Sequence, residues 1–123
     1  MDKRTQGASP SEQSGGDPAA RDLYDELTDD LLYDPAIGRA TMMGYPCVRL
    51  AGRFVASYND SAGSLVVKLP RERVIDLVET GTGDPFAPAG KVFREWVSIP
   101  ALDPELWRSL LAEAVEFARK SLG

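Results

Sequence analysis

Residues 64–100, SLVVKLPRERVIDLVETGTGDPFAPAGKVFREWVSIP, hold a strand, a helix, a glycine- and proline-rich loop and a second strand within one short span. Leu65, Val67 and Leu69 alternate with Val66 and Lys68, the period of two that a strand requires. Pro70 stops that strand and presets φ for the first turn of a helix. Val74, Leu77 and Val78 then recur at helical spacing, which predicts a helix over 70–79. Gly81 stands at the C-cap position, and Gly83, Pro85, Pro88 and Gly90 keep the chain irregular until an extended run over 92–99.

Toward the N-terminus the same reading gives three more strands and a helix. The runs 40–43, 46–50 and 53–58 contain Met, Val, Phe and Tyr. The last two are separated only by Ala51-Gly52, a two-residue hairpin turn with glycine second. Asn59 to Gly63 forms a longer turn into the strand at Ser64, so four short strands follow one another as an antiparallel meander. Before them, Asp17-Pro18 is a helix start and Leu23, Leu27 and Leu31 form an apolar stripe, predicting a helix over 18–33 that Asp34-Pro35 ends. Residues 1–16 have almost nothing apolar to bury and are expected to be a disordered tail.

The C-terminal segment is the most strongly patterned. Asp103-Pro104-Glu105 combines an N-cap acceptor, proline at the first helical position and an acid suited to the helix dipole. Trp107, Leu110, Leu111, Ala114, Val115 and Ala118 follow on one face, so a helix over 103–121 buries that face against a sheet. The order α-β-β-β-β-α-β-α, with about five antiparallel strands and three helices, reads as a two-layer α+β domain over residues 17–123.

A chain of 123 residues is one domain by length. It has no membrane-length apolar run and no apolar signal core near the N-terminus, so no membrane partner and a cytoplasmic location are expected. The single Cys47 cannot form an internal disulfide and suits a reducing compartment, as a small buried thiol. Net charge is −5 but uneven: residues 21–35 carry six acids against Arg21, whereas residues 36–123 carry eleven bases against ten acids. Any basic surface must therefore be local. The acids of the first helix lack the spacing of a calcium loop and read as a solvated face.

With no histidine in the chain, imidazole catalysis, the common triads and the HExxH zinc site are excluded. Gly81-Thr82-Gly83 follows a helix, and Gly90-Lys91 leads into a strand, so neither delivers a phosphate to a helix N-terminus. Asp60, Asp84 and Glu95 have no spacing that favours paired-carboxylate chemistry. The chain is expected to be non-catalytic and to need no cofactor or metal.

One pattern points to binding. If Leu65, Val67 and Leu69 face the helices, Val66 and Lys68 face the other way. Taking Phe93, Val97 and Ile99 as core sends Val92, Arg94, Trp96 and Ser98 to that second face, where Arg49 and Arg53 can join them. Arg53, Lys68, Arg94 and Trp96 are thus the candidate partner-binding residues. Bases around an aromatic on an uncovered sheet face are the composition of a plain solvated face with an incidental tryptophan, of a single-strand nucleic-acid platform, or of a wet dimer interface.

Several short motifs together resemble a known family: Arg39-Ala40-Thr41-Met42-Met43-Gly44-Tyr45, the hairpin with Gly52-Arg53-Phe54, Leu65-Val66-Val67-Lys68, and Phe93-Arg94-Glu95-Trp96-Val97 before the last helix. Over residues 22–122 the chain is similar to the N-terminal domain of the TfoX/Sxy competence regulators, and the YjbR/MmcQ-like proteins share the element order. The resemblance implies an antiparallel sheet with helices largely on one side. It also implies a DNA-binding or transcription-related role, with nucleic acid or a regulatory protein as partner, and no catalytic residues to carry over. The competing expectations are a small-ligand or enzymatic pocket near the 81–90 loop, and a homodimer joined through sheet faces.

Overall fold

The computed structural model describes residues 18–122; the expected tail over 1–16 and the cap at Asp17 lie outside them. Helix α1 (Pro18–Leu31) is followed by four strands, β1 (Ile37–Met42), β2 (Tyr45–Leu50), β3 (Arg53–Asn59) and β4 (Ser64–Lys68). Helix α2 (Arg71–Glu79), the short β5 (Asp84–Pro85), β6 (Trp96–Ile99) and helix α3 (Pro104–Leu122) complete the chain. The sheet has six strands in the order β1-β2-β3-β4-β6-β5, antiparallel at every pair. The fold is α+β, as the sequence implied, with one strand more than expected.

Local chemistry accounts for the element ends. The turns Met43-Gly44 and Ala51-Gly52 both have two consecutive positive φ angles, the geometry of a type I′ hairpin that matches strand twist. Helix α1 stops at Leu31, two residues before the expected end, where the Asp34 carboxylate accepts the Ala36 N–H at 2.9 Å and leaves Tyr33 exposed. Asp103 caps α3 by accepting the Leu106 N–H at 3.2 Å, while Arg119 and Lys120 occupy its last turn.

The three helices close one face of the sheet. Tyr24 and Leu27 from α1, Val74 and Leu77 from α2, and Trp107, Leu110, Leu111, Ala114 and Ala118 from α3 form one core with alternate residues of the sheet. Each large side chain so buried contributes about 1.5–3 kcal/mol. Trp107 belongs wholly to this core, and its indole N–H donates to the Ala101 carbonyl at 2.7 Å. α3 lies along β2 to β4, whereas α2 sits over β5 and β6. Two ion pairs tie the layer together: Arg119 of α3 to Asp34 beyond α1, and Arg73 of α2 to Glu113 of α3. No helix among the described residues is long and apolar enough to cross a membrane.

The last third departs from the simple alternation. The extended run expected over 92–99 is a strand only from Trp96, because the Phe93 N–H donates back to Phe86 and the Trp96 N–H to Phe93, turning the chain between them. Asp84 and Pro85, expected as loop, instead pair with Ser98 and Val97 as an edge strand, a position where proline's missing N–H costs nothing. Gly83 permits this approach: a Cβ there would lie 2.6 Å from Val97 Cγ2.

Candidate functional site

The site begins with a bulge. Val48 pairs with Ala56 but Arg49 pairs with Phe54, so Val55 is an extra residue in β3. Val55 and Ala56 consequently both enter the helix-side core, and Phe54 is turned to the opposite face. There it meets Trp96, which is placed by its cross-strand partner Lys68. The two rings stack at 4.1 Å between centroids and within 4° of parallel. Phe86 stacks against the same indole at 5.3 Å, and Phe93 meets it edge-on at 5.2 Å. Trp96 is therefore a half-buried hub of four aromatics rather than a bare platform.

The rest of that sheet face is also closed in its centre. Phe54, Ser57 and Val66 are 8%, 4% and 1% exposed, against the expectation of an uncovered face. Exposure is concentrated at the end of β4, where Lys68, Arg71, Lys91 and Arg94 line one groove with Phe93, Trp96 and the single acid Glu95. The groove holds about 510 Å³. Lys68 comes from the strand end, Arg71 from the first turn of α2, and Lys91 and Arg94 from the loop before β6.

These four bases differ from others in the chain. Arg21, Arg39, Arg73 and Arg119 each pair with an acid, namely Asp25, Asp29, Asp76 with Glu113, and Asp34. Hydrogen bonding to Glu113 raises the Arg73 pKa, and the Arg119 guanidinium holds Asp34 below the ordinary carboxylate range. The groove bases have no ion pair and no side-chain hydrogen bond among the described residues, which is also true of Arg53, Arg108 and Lys120; what sets the four apart is that they line one groove. A second, apolar chamber of about 380 Å³ adjoins them. It shares Arg71, Val92, Phe93, Arg94 and Trp96 with the groove, is lined further by Ile75 and Val78 of α2 and by Pro85, and is open to solvent on one side.

Of the residues expected from sequence, Lys68, Arg94 and Trp96 are brought together. Arg53 is not: it pairs with the core residue Leu50, so its register position is on the helix side, and it lies outside the groove lining. Phe93, expected in the central core, belongs to the aromatic hub instead. Arg71 and Lys91 were missed, the first because it reads as an ordinary first-turn residue and the second because it reads as a turn. Phe54 was missed because a bulge leaves no mark on a β-alternation count.

The groove lining offers four cations, one carboxylate and ring surfaces, but no serine, threonine, cysteine or histidine. Cys47 is buried and its thiol pKa is pushed up by that burial, which makes it a poor nucleophile. Among the described residues no group of three His, Cys, Asp or Glu could hold a metal ion. Chemically the arrangement can hold an anion that also carries an apolar or aromatic part. Comparison with known proteins gives no family model that matches the chain, no similar curated protein and no similar solved structure.

Proposed function

We propose that this domain is a non-catalytic module that binds single-stranded nucleic acid along the groove at the end of β4, a reading in keeping with its resemblance to the TfoX/Sxy N-terminal domains. The observation that supports it is the convergence of Lys68, Arg71, Lys91 and Arg94, without acid partners among the described residues, around a half-buried tryptophan. Arginine guanidinium groups match phosphate oxygens in pairs and lysines add point charge, so successive phosphates suit such a set better than one carboxylate does. A single strand is favoured over a duplex because the four bases lie beside Trp96 and come from a strand end, a helix first turn and a loop rather than from the exposed face of one helix.

The acidic α1 does not oppose this binding strongly. It contacts β1 and β2 through Arg39 and Pro46, and β1 lies four strand spacings from β6, about 19 Å. At physiological salt its field is screened beyond about 8 Å. The reading assumes a cytoplasmic setting, which a lone buried cysteine supports.

The test is a titration of labelled single-stranded and duplex oligonucleotides, and of an acidic peptide of equal charge, against the parent and a Lys68→Glu, Arg94→Glu double variant. Tighter binding of the single strand by the parent, lost at least tenfold in the variant, is the expected result. Equal weak curves for both proteins exclude nucleic acid. Tighter binding of the peptide would favour a regulatory protein as partner.

A further inference from the structure

The apolar chamber beside the groove is not needed to hold phosphates, yet it is continuous with the residues that do. Phe93 and Trp96 form a wall common to both compartments, and Arg71 and Arg94 stand where they join. At about 380 Å³ the chamber falls within the range of about 300–1,000 Å³ typical of small-ligand sites. Its other walls are aliphatic, from Ile75 and Val78 of α2 and from Pro85, with Glu79 as its one acid. An anionic group is thus held at the arginine end and repelled from the Glu79 end, while a neutral ring with N–H donors is accepted there.

We propose that this chamber receives one unstacked nucleobase of the bound strand, its flanking phosphates lying on Arg71 and Arg94. The proposal rests on the nucleic-acid reading above and adds a fixed register to it: one nucleotide is gripped by its base, and its neighbours by charge alone. Flat rings suit the site because Phe93 and the free edge of Trp96, whose faces Phe54 and Phe86 already cover, leave an apolar recess that contacts a base by shape rather than by hydrogen bonds and so tolerates any base. A strand so held tilts its backbone toward Lys68 and Lys91, the remaining bases of the groove.

Two strands of about ten nucleotides with equal charge separate the base from the phosphates: an oligothymidylate and an abasic strand of the same length. Parent protein is expected to bind the thymidylate about tenfold tighter, with the same salt dependence for both strands. Ile75 lines the chamber and is 45% exposed, so Ile75→Trp fills the chamber without disturbing the core. It should remove most of the preference for the base-bearing strand and leave abasic binding unchanged. Ile75→Asn, which keeps the space but makes it polar, should give a smaller loss in the same direction and serves if the tryptophan variant does not fold. A preference retained in both variants overturns the chamber as the base site while salt-dependent binding stands. Failure of either strand to bind with salt dependence removes the nucleic-acid reading and the chamber proposal together.

Discussion

On the helix side of the sheet Arg21, Arg39, Arg73 and Arg119 each end on a carboxylate, whereas at the end of β4 the bases Lys68, Arg71, Lys91 and Arg94 line one groove with Glu95 as its only acid. The chain has nineteen acids for fourteen bases, so acids were not in short supply. A surface pair contributes only about 0–1 kcal/mol, and crowding like charges costs a similar amount. Four unpaired bases together are therefore cheap enough to persist but gain nothing for the fold. The first region ties helices and sheet together by paired charge, and the second gathers charge that the fold itself does not use.

That contrast can be broken in several ways. The largest effect belongs to the core: Leu110→Ala, at a fully buried α3 position, should cost about 2–5 kcal/mol in denaturant unfolding. A loss below about 0.5 kcal/mol would mean that α3 is not the keystone of the helix layer. Gly83→Ala should cost about 1–3 kcal/mol, because its methyl would press on Val97 Cγ2 and Ile99 Cδ1. If it costs nothing, β5 is not held as close to β6 as described.

Smaller changes sharpen the comparison between paired and unpaired arginines. Arg73→Ala should lose up to about 1 kcal/mol, while Arg71→Ala two positions earlier should stay within about 0.5 kcal/mol of the parent; a larger loss at Arg71 than at Arg73 would reverse the contrast. The smallest effect is a pH dependence. Asp34 is held below its ordinary range by Arg119 and then by the Ala36 N–H, so its contribution is present above the unfolded value of about 3.9 and is lost as pH falls through the lower folded value. Thermal unfolding of the parent and of Asp34→Asn should differ at neutral pH and converge once the pH has fallen below the lowered folded value. A constant difference at every pH would assign the effect to something other than this charge.

How legible each region was follows from the same contrast. Periodicity and caps marked α3, α2 and the four-strand meander because local chemistry decides them: Pro70, Ala51-Gly52 and Asp103-Pro104 act within a few residues. The short β5 was illegible, since its pairing depends on Gly83 fitting against Val97 across the sheet. The groove was legible in part. Lys68 and Trp96 are cross-strand partners, which alternation can suggest. Arg71, Lys91 and the stacking of Phe54 depend on a bulge and on the turn between Phe93 and Trp96, and neither has a signature in residue spacing. Arg53 was misplaced for the same reason, because one extra residue in β3 reverses the faces on either side of it.

If Lys68, Arg71, Lys91 and Arg94 hold phosphates, as proposed, salt tests it most directly. For a single strand each neutralised phosphate contributes about 0.7 to the slope of log K against log salt, so four contacts give a slope of about −3. Measured by anisotropy with oligothymidylate over a range of salt, the parent should show that slope, and the Lys68→Glu, Arg94→Glu variant should show about half of it or no binding at all. A parent affinity independent of salt, or one that falls equally steeply in the variant, would contradict the account.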